Sequence, residues 1–190
     1  MKLDRQLWCP RPGLRLYYPD GSHVMTWYHD EIRPSMEHEI AFRNAFYRVK
    51  FAQNGEPVKR QVYIEALSGM ARVWDSRLVD GEYAERLEHG PGCIKFPFND
   101  APNAQTMNSP FRSRDMESGM ETAKRVVISG MSEGDVEGFG KCACFDWELR
   151  KGGDGGVLAE KNRYYYSPSA GLVRVVRLFP RHADVTMRLG

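Results

Sequence analysis

Cysteine, histidine and serine are the residues of this chain that could make or break bonds. Cys9, Cys93, Cys142 and Cys144 are enough for a tetrahedral metal site. Structural zinc draws its ligands from two close Cys-x-x-Cys-type pairs, whereas here one pair is close, and it is Cys-x-Cys. Positions i and i+2 of a strand share a face, so Cys142 and Cys144 could reach one metal, or one of them a distant cysteine, but a bond between the two would be strained. Structural thiols explain them, with disulfides expected only in an exported protein, and no metal is expected. His38 lies between Glu37 and Glu39, with His29-Asp30-Glu31 nearby, a cluster able to hold a divalent metal or move protons. It matches no His-Glu-x-x-His spacing, and a solvated charged face explains it with fewer assumptions. His89-Gly90-Pro91-Gly92-Cys93 sets a base near a thiol, yet Cys–His pairs are made in space, so the default there is a turn. Ser129 and Ser132 lie in no Gly-x-Ser-x-Gly elbow, and the glycines of 152–156 lack the Lys-Ser/Thr and helix of a phosphate cradle. No catalytic residue and no cofactor follow from these patterns.

Aromatic residues offer a different kind of site. Trp27, Tyr28, Trp74, Tyr83, Phe96, Phe98, Trp147, Tyr164 and Tyr166 supply large rings with a few polar tips, which suits the concave side of a curved sheet. Ordinary core packing competes for each ring. The candidate ligand-binding residues are Trp27, Trp74, Phe96, Phe98, Trp147, Tyr164 and Tyr166. Arg112, Arg114, Lys124 and Arg125 form a modest basic cluster suited to acidic headgroups, a protein partner or plain solvation.

Strands must position these residues. Lys141–Phe179 reads as three consecutive strands broken at 152–156 and 167–171, with Ala143, Phe145, Trp147 and Leu149 on one face and Cys142, Cys144, Asp146, Glu148 and Arg150 on the other. Upstream, Leu14–Tyr18 and Val24–Tyr28 flank a Pro-Asp-Gly-Ser turn. Phe46–Phe51, where Phe46, Arg48 and Lys50 alternate with Tyr47, Val49 and Phe51, returns through Asn54-Gly55 to Gln61–Leu67. Met70–Trp74 and Leu78–Leu87 continue the meander through Asp80-Gly81. Pro34 could open a short helix within Asp30–Arg43. Between Glu88 and Glu121 four prolines sit among Gly, Asn and Ser. A long Pro/Gly-rich loop is expected there, the flap over any cavity, with the apolar island Ile94–Phe98 either pinning it to the core or forming one edge strand, and least ordered over Asn99–Gly119.

Gly138-Phe139-Gly140, Cys144-Phe145-Asp146-Trp147-Glu148, the Gly-rich turn, and Arg163-Tyr164-Tyr165-Tyr166-Ser167-Pro168 through Gly171-Leu172-Val173-Arg174 form a pattern. It resembles the C-terminal signature of several bacterial families of unknown function, whose last strands read roughly Tyr-Trp-Tyr-Ser-Pro-Glu-x-Gly-x-Val. This chain departs from it at Tyr165, in place of Trp, and at Ser169, in place of an acid. The resemblance implies an envelope-associated, β-rich protein with a curved sheet or half barrel similar to lipoprotein carriers. It implies no catalytic residue.

Length and charge bound the rest. The 190 residues fit a single β-rich domain, and 42% hydrophobic content excludes wholesale disorder. A net charge of +2 is far from the one-signed balance that recruits nucleic acid, so that partner is not expected. No run reaches the roughly 18 apolar residues of a membrane helix. The start, MKLDRQLWCPRPG, carries no secretory h-region, so the protein is either cytoplasmic or the processed form of a periplasmic or envelope protein. The expected fold is mainly β, an antiparallel, strongly curved sheet or incomplete barrel of about ten strands with one or two short helices. The leading function is non-catalytic binding or carriage of an apolar ligand, such as a lipid, or of a protein partner on the concave face. An envelope assembly factor working through its sheet edges comes second. A hydrolase whose site is assembled only in the fold comes third.

Overall fold

The computed structural model describes residues 1–32, 42–90, 92–98, 106–152 and 155–190. Strand-forming residues with period-two patterning dominate them, and the backbone follows that period into a single antiparallel sheet with one short helix among the described residues. After α1 (Arg5–Trp8) come β1 (Leu16–Tyr17), β2 (His23–Ile32), β3 (Phe42–Phe51), β4 (Pro57–Ala66), β5 (Gly69–Val79), β6 (Glu82–His89) and β7 (Ile94–Pro97). The chain continues through β8 (Met107–Asp115), β9 (Glu121–Val136), β10 (Gly140–Lys151), β11 (Val157–Ser167), β12 (Gly171–Phe179), β13 (Val185–Thr186) and β14 (Arg188–Leu189). None of the described helices is long and apolar enough to cross a membrane.

Nearly every strand lies beside its sequence neighbour, in the order β13-β12-β11-β10-β9-β8-β6-β5-β4-β3-β2-β1-β14, so the sheet is a meander coiled on itself. Its ends meet through one piece of chain. β13 pairs with β12 at Val185↔Val175, and β14, directly after Met187, pairs with β1 at Leu189↔Leu16. Met187 is buried between them and donates its N–H to the Val173 carbonyl at 2.7 Å. The expected curved sheet is therefore a nearly closed barrel, with its seam between β12 and β1 bridged by residues 185–189.

Turn chemistry sets the hairpins. Asp80 and Gly81 both take positive φ, 50° and 83°, the pair of left-handed residues whose twist matches a two-residue hairpin. β7 runs along β5 beyond the end of β6, pairing with Gly69–Ala71. Only glycine allows that approach, because a Cβ on residue 69 would sit 2.2 Å from the Phe96 carbonyl oxygen.

The structure departs from two expectations. Asp30–Ile32 end β2 and Phe42–Arg43 begin β3, so strand replaces both ends of the expected helix, and residues 33–41 lie outside the described residues. Within 88–121, read as one irregular loop, Ile94–Pro97 form the expected edge strand, but Met107–Asp115 form β8, inserted between β6 and β9. Pro110 is tolerated there because β8 meets β6 only at Ser113–Asp115, beyond the proline. Residues 99–105 lie outside the described residues.

The interior has two parts. One is a closely packed aromatic core, where Phe96 contacts Tyr166 at 4.6 Å and Phe145 stacks on Tyr166 at 5.7 Å between ring centroids. Trp147, fully buried, donates its indole N–H to the Ile94 carbonyl at 2.8 Å and so ties β7 to β10. At the other, α1 holds Trp8 against Phe46 and Tyr63, at 5.1 Å from each ring, with Asp4 capping the helix by accepting from the Leu7 N–H at 3.0 Å. Beside Trp8 the packing opens into a cavity.

Candidate ligand-binding cavity

The cavity holds about 330 Å³, about ten waters' worth of liquid volume and the lower end of the range for small-molecule sites. Alternation along the strands decides what faces it. On β3 the inward set is Phe46, Arg48 and Lys50; opposite them on β4 stand Tyr63, Gln61 and Lys59, and Tyr63 in turn faces Arg72 on β5. Lys95 enters from β7, and β11 contributes Glu160, Asn162, Tyr164 and Tyr166. The seam side is mainly aliphatic, built from Val24 of β2, Leu172 and Val175 of β12, and Val185 and Met187 of the C-terminal segment, with Arg177 of β12 as its charged member.

Positive charge dominates this lining. Arg48, Lys50, Lys59, Arg72, Lys95 and Arg177 are set against the single lining carboxylate Glu160. Asp75, just behind the wall, is shared by Arg72 at 3.5 Å and Lys59 at 3.4 Å, and also accepts from the Gln61 amide at 2.8 Å. Burial alone would raise the Asp75 pKa, but the His89 hydrogen bond and the Arg72 and Lys59 charges outweigh it and hold the carboxyl well below its usual range. Lys95 has no carboxylate at ion-pair distance among the described residues. Its ammonium instead lies 3.2 Å from the centre of the Trp147 ring, and burial together with the Arg72 charge lowers its pKa to about 7. Burial pushes the phenols of Tyr63, Tyr164 and Tyr166 upward, so all three stay protonated and able to donate.

Of the residues singled out in the sequence, Tyr164 and Tyr166 line the cavity. Trp74, Phe96 and Trp147 are packed in the core and do not line it. Phe98 lies edge-on to Phe96 at 6.4 Å, and Trp27, paired with Tyr47, is on the face of the sheet opposite Arg48. Of the Arg112, Arg114, Lys124 and Arg125 cluster, Arg112 pairs with Glu121 at 3.1 Å on the exposed surface, away from the cavity lining. The cationic lining was missed by reading rings alone. Its signal is present in the sequence as polar residues at alternate positions of strands, basic Arg48 with Lys50 and basic Lys59 with the amide Gln61, on faces that also carry Phe46 and Tyr63.

A second polar feature joins three neighbouring strands. Ser113 Oγ lies 2.7 Å from His89 Nδ1, and His89 Nε2 lies 3.3 Å from Asp75 Oδ2. With Asp75 ionised, Nε2 carries the imidazole proton and Nδ1 accepts from the serine. Burial lowers the His89 pKa and keeps the ring neutral. Acyl transfer uses the same three residue types, but it needs an open approach to the serine and donors for the oxyanion. Ser113 and His89 are 2% and 5% exposed, and neither lines the cavity, so this chain braces β5, β6 and β8. His89 thus finds its partners far along the sequence and not in Cys93, which is a buried free thiol like Cys142 and Cys144; Cys9 is free and half-buried.

No family model matches the chain, and the search of curated proteins returned no match. Among solved structures, a crystal structure described as a putative lipoprotein from Parabacteroides distasonis ATCC 8503 is similar over 99% of this chain and 97% of its own, with a TM-score of 0.51 and 11% identity. At that identity the likeness is one of fold: the same β-rich, barrel-like architecture.

Proposed function

We propose that the protein is a non-catalytic carrier that encloses a small guest inside the barrel. The observation that supports this best is the cavity of about 330 Å³ between β3–β5 and β11–β12, lined on one side by aliphatic residues and on the other by polar ones. A bacterial envelope location is part of the same reading, in keeping with the description of the fold neighbour as a putative lipoprotein. A role through sheet edges has less support, because the strands that end the sheet, β13 and β14, are two residues each. Native mass spectrometry of protein purified from cells under mild conditions tests the proposal. A reproducible adduct that disappears on unfolding is expected. A bare chain from several preparations, together with no uptake of any amphiphile added in solution, would overturn it.

A further inference from the structure

Resting on the carrier reading, we infer that the guest is an amphiphile with one anionic group, a carboxylate or phosphate monoester, whose charge sits among Arg48, Arg72 and Lys95 while its tail lies along the aliphatic seam side. Six cations line the cavity against Glu160, and Glu160 already accepts from the Asn162 amide at 2.6 Å. Asp75 carries one charge and is divided between Arg72 and Lys59. Among the described residues no carboxylate lies within ion-pair distance of Arg48 or Lys95, and the Arg72 Nε is a buried donor without an acceptor. Holding cations of one sign together away from bulk water is costly unless an anion joins them.

A neutral guest would leave that cost in place, and a cationic one would add to it. An anionic group would relieve it, taking charge-assisted hydrogen bonds from the guanidinium and ammonium groups and further donors from the protonated phenols. The distribution of side chains argues for a tail as well. Arg48, Lys59, Arg72 and Lys95 come from β3, β4, β5 and β7, while Val24, Leu172, Val175, Val185 and Met187 come from β2, β12 and the C-terminal segment, where the only cation of the lining among the described residues is the exposed Arg177. Free phosphate would use the first wall and leave the second idle.

Calorimetric titration at fixed salt with octanoate, octyl phosphate, octanol, octylammonium and inorganic phosphate separates the cases. Octanoate and octyl phosphate are expected to bind about tenfold or more tightly than octanol, with octylammonium and inorganic phosphate weaker still. Lys95→Met and, separately, Arg48→Gln should each narrow the octanoate–octanol gap about tenfold, with circular dichroism confirming the fold. Equal binding of octanol and octanoate would overturn the anionic inference and leave the carrier intact. Inorganic phosphate binding as tightly as octyl phosphate would overturn the amphiphile. Failure of every probe to bind would overturn the amphiphile inference, and together with a bare chain in native mass spectrometry it would overturn the carrier reading itself.

Discussion

An ammonium group set over an indole ring has given up most of its water for a weak partner, and Lys95 is in that position, with Arg72, Asp75, Cys93 and Glu160 as the other charged or titratable groups acting on it. Its pKa in the fold is about 7 against an ordinary 10.5. Between those values the unfolded chain holds a proton that the folded chain has released, so this group makes stability rise with pH, and below about 7 the full penalty of the internal charge is present. His89, lowered chiefly by burial, acts in the same direction at lower pH. Asp75, held low despite its burial, contributes stability that is lost as pH falls toward its folded value. Urea denaturation of the wild type should therefore show a midpoint that climbs from pH about 7 to about 8; nearer 9 the unfolded thiols ionise while Cys9 and Cys142, both raised to about 11 in the fold, stay protonated, and this opposes the climb. Lys95→Met should remove most of that climb, leaving the part due to Lys124, which burial also lowers, and keep the losses on the acid side. An unchanged slope in the variant would mean that Lys95 is not a buried cation.

The C-terminal segment is the element that turns an open sheet into a barrel. β13 and β14 are each too short to persist alone, so their pairing depends on Met187, which is 1% exposed between the hydrogen-bonded ends of β12 and β1. Met187→Ala should cost about 2–4 kcal/mol. Amide exchange should accelerate at Leu16 and Tyr17 and at Val173–Val175, while β9–β11, paired on both sides, stay protected. Uniform acceleration across the sheet would show that the segment is no separate latch. Neither the latch nor β8 was readable in the sequence. Strands of two residues carry no periodicity, and Pro110 argues for a loop until β8 is known to leave β6 before reaching it. The hairpins were readable because Asp80-Gly81 and Asn54-Gly55 carry their turn geometry locally, and so was the inward Ala143-Phe145-Trp147 face of β10. The alternation on β3 was visible too, but no rule of composition turns Arg48 and Lys50 toward the interior. That orientation follows from closing the barrel around Phe46, and the cavity was hidden for the same reason.

At the scale of the molecule, a net charge of +2 conceals a separation. Ion pairs such as Arg86–Glu117 balance charge on the outside, while Arg48, Arg72 and Lys95 gather at the cavity. The walls that hold them come from the whole length of the chain: Trp8 and Tyr18 near one terminus, Val185 and Met187 near the other, and Arg48, Lys95 and Tyr164 between. Hairpins such as β10–β11 form from neighbouring residues, but the β1–β14 pairing joins Leu16 to Leu189 and closes nearly the entire chain as a loop. Loop-closure entropy makes that contact expensive before the rest of the sheet exists, so it should be among the last to form. The cavity is incomplete until then, and binding competence should return late in refolding. In stopped-flow refolding with octanoate present, the heat or fluorescence change due to the guest should appear in the slowest phase. Its rate should match the protection of the Leu16 and Tyr17 amides in pulse-labelled exchange, after the β10–β11 amides are already protected. Guest uptake ahead of seam protection would show instead that the walls from β3–β5 and β11 suffice, with the C-terminal segment closing over a site already filled.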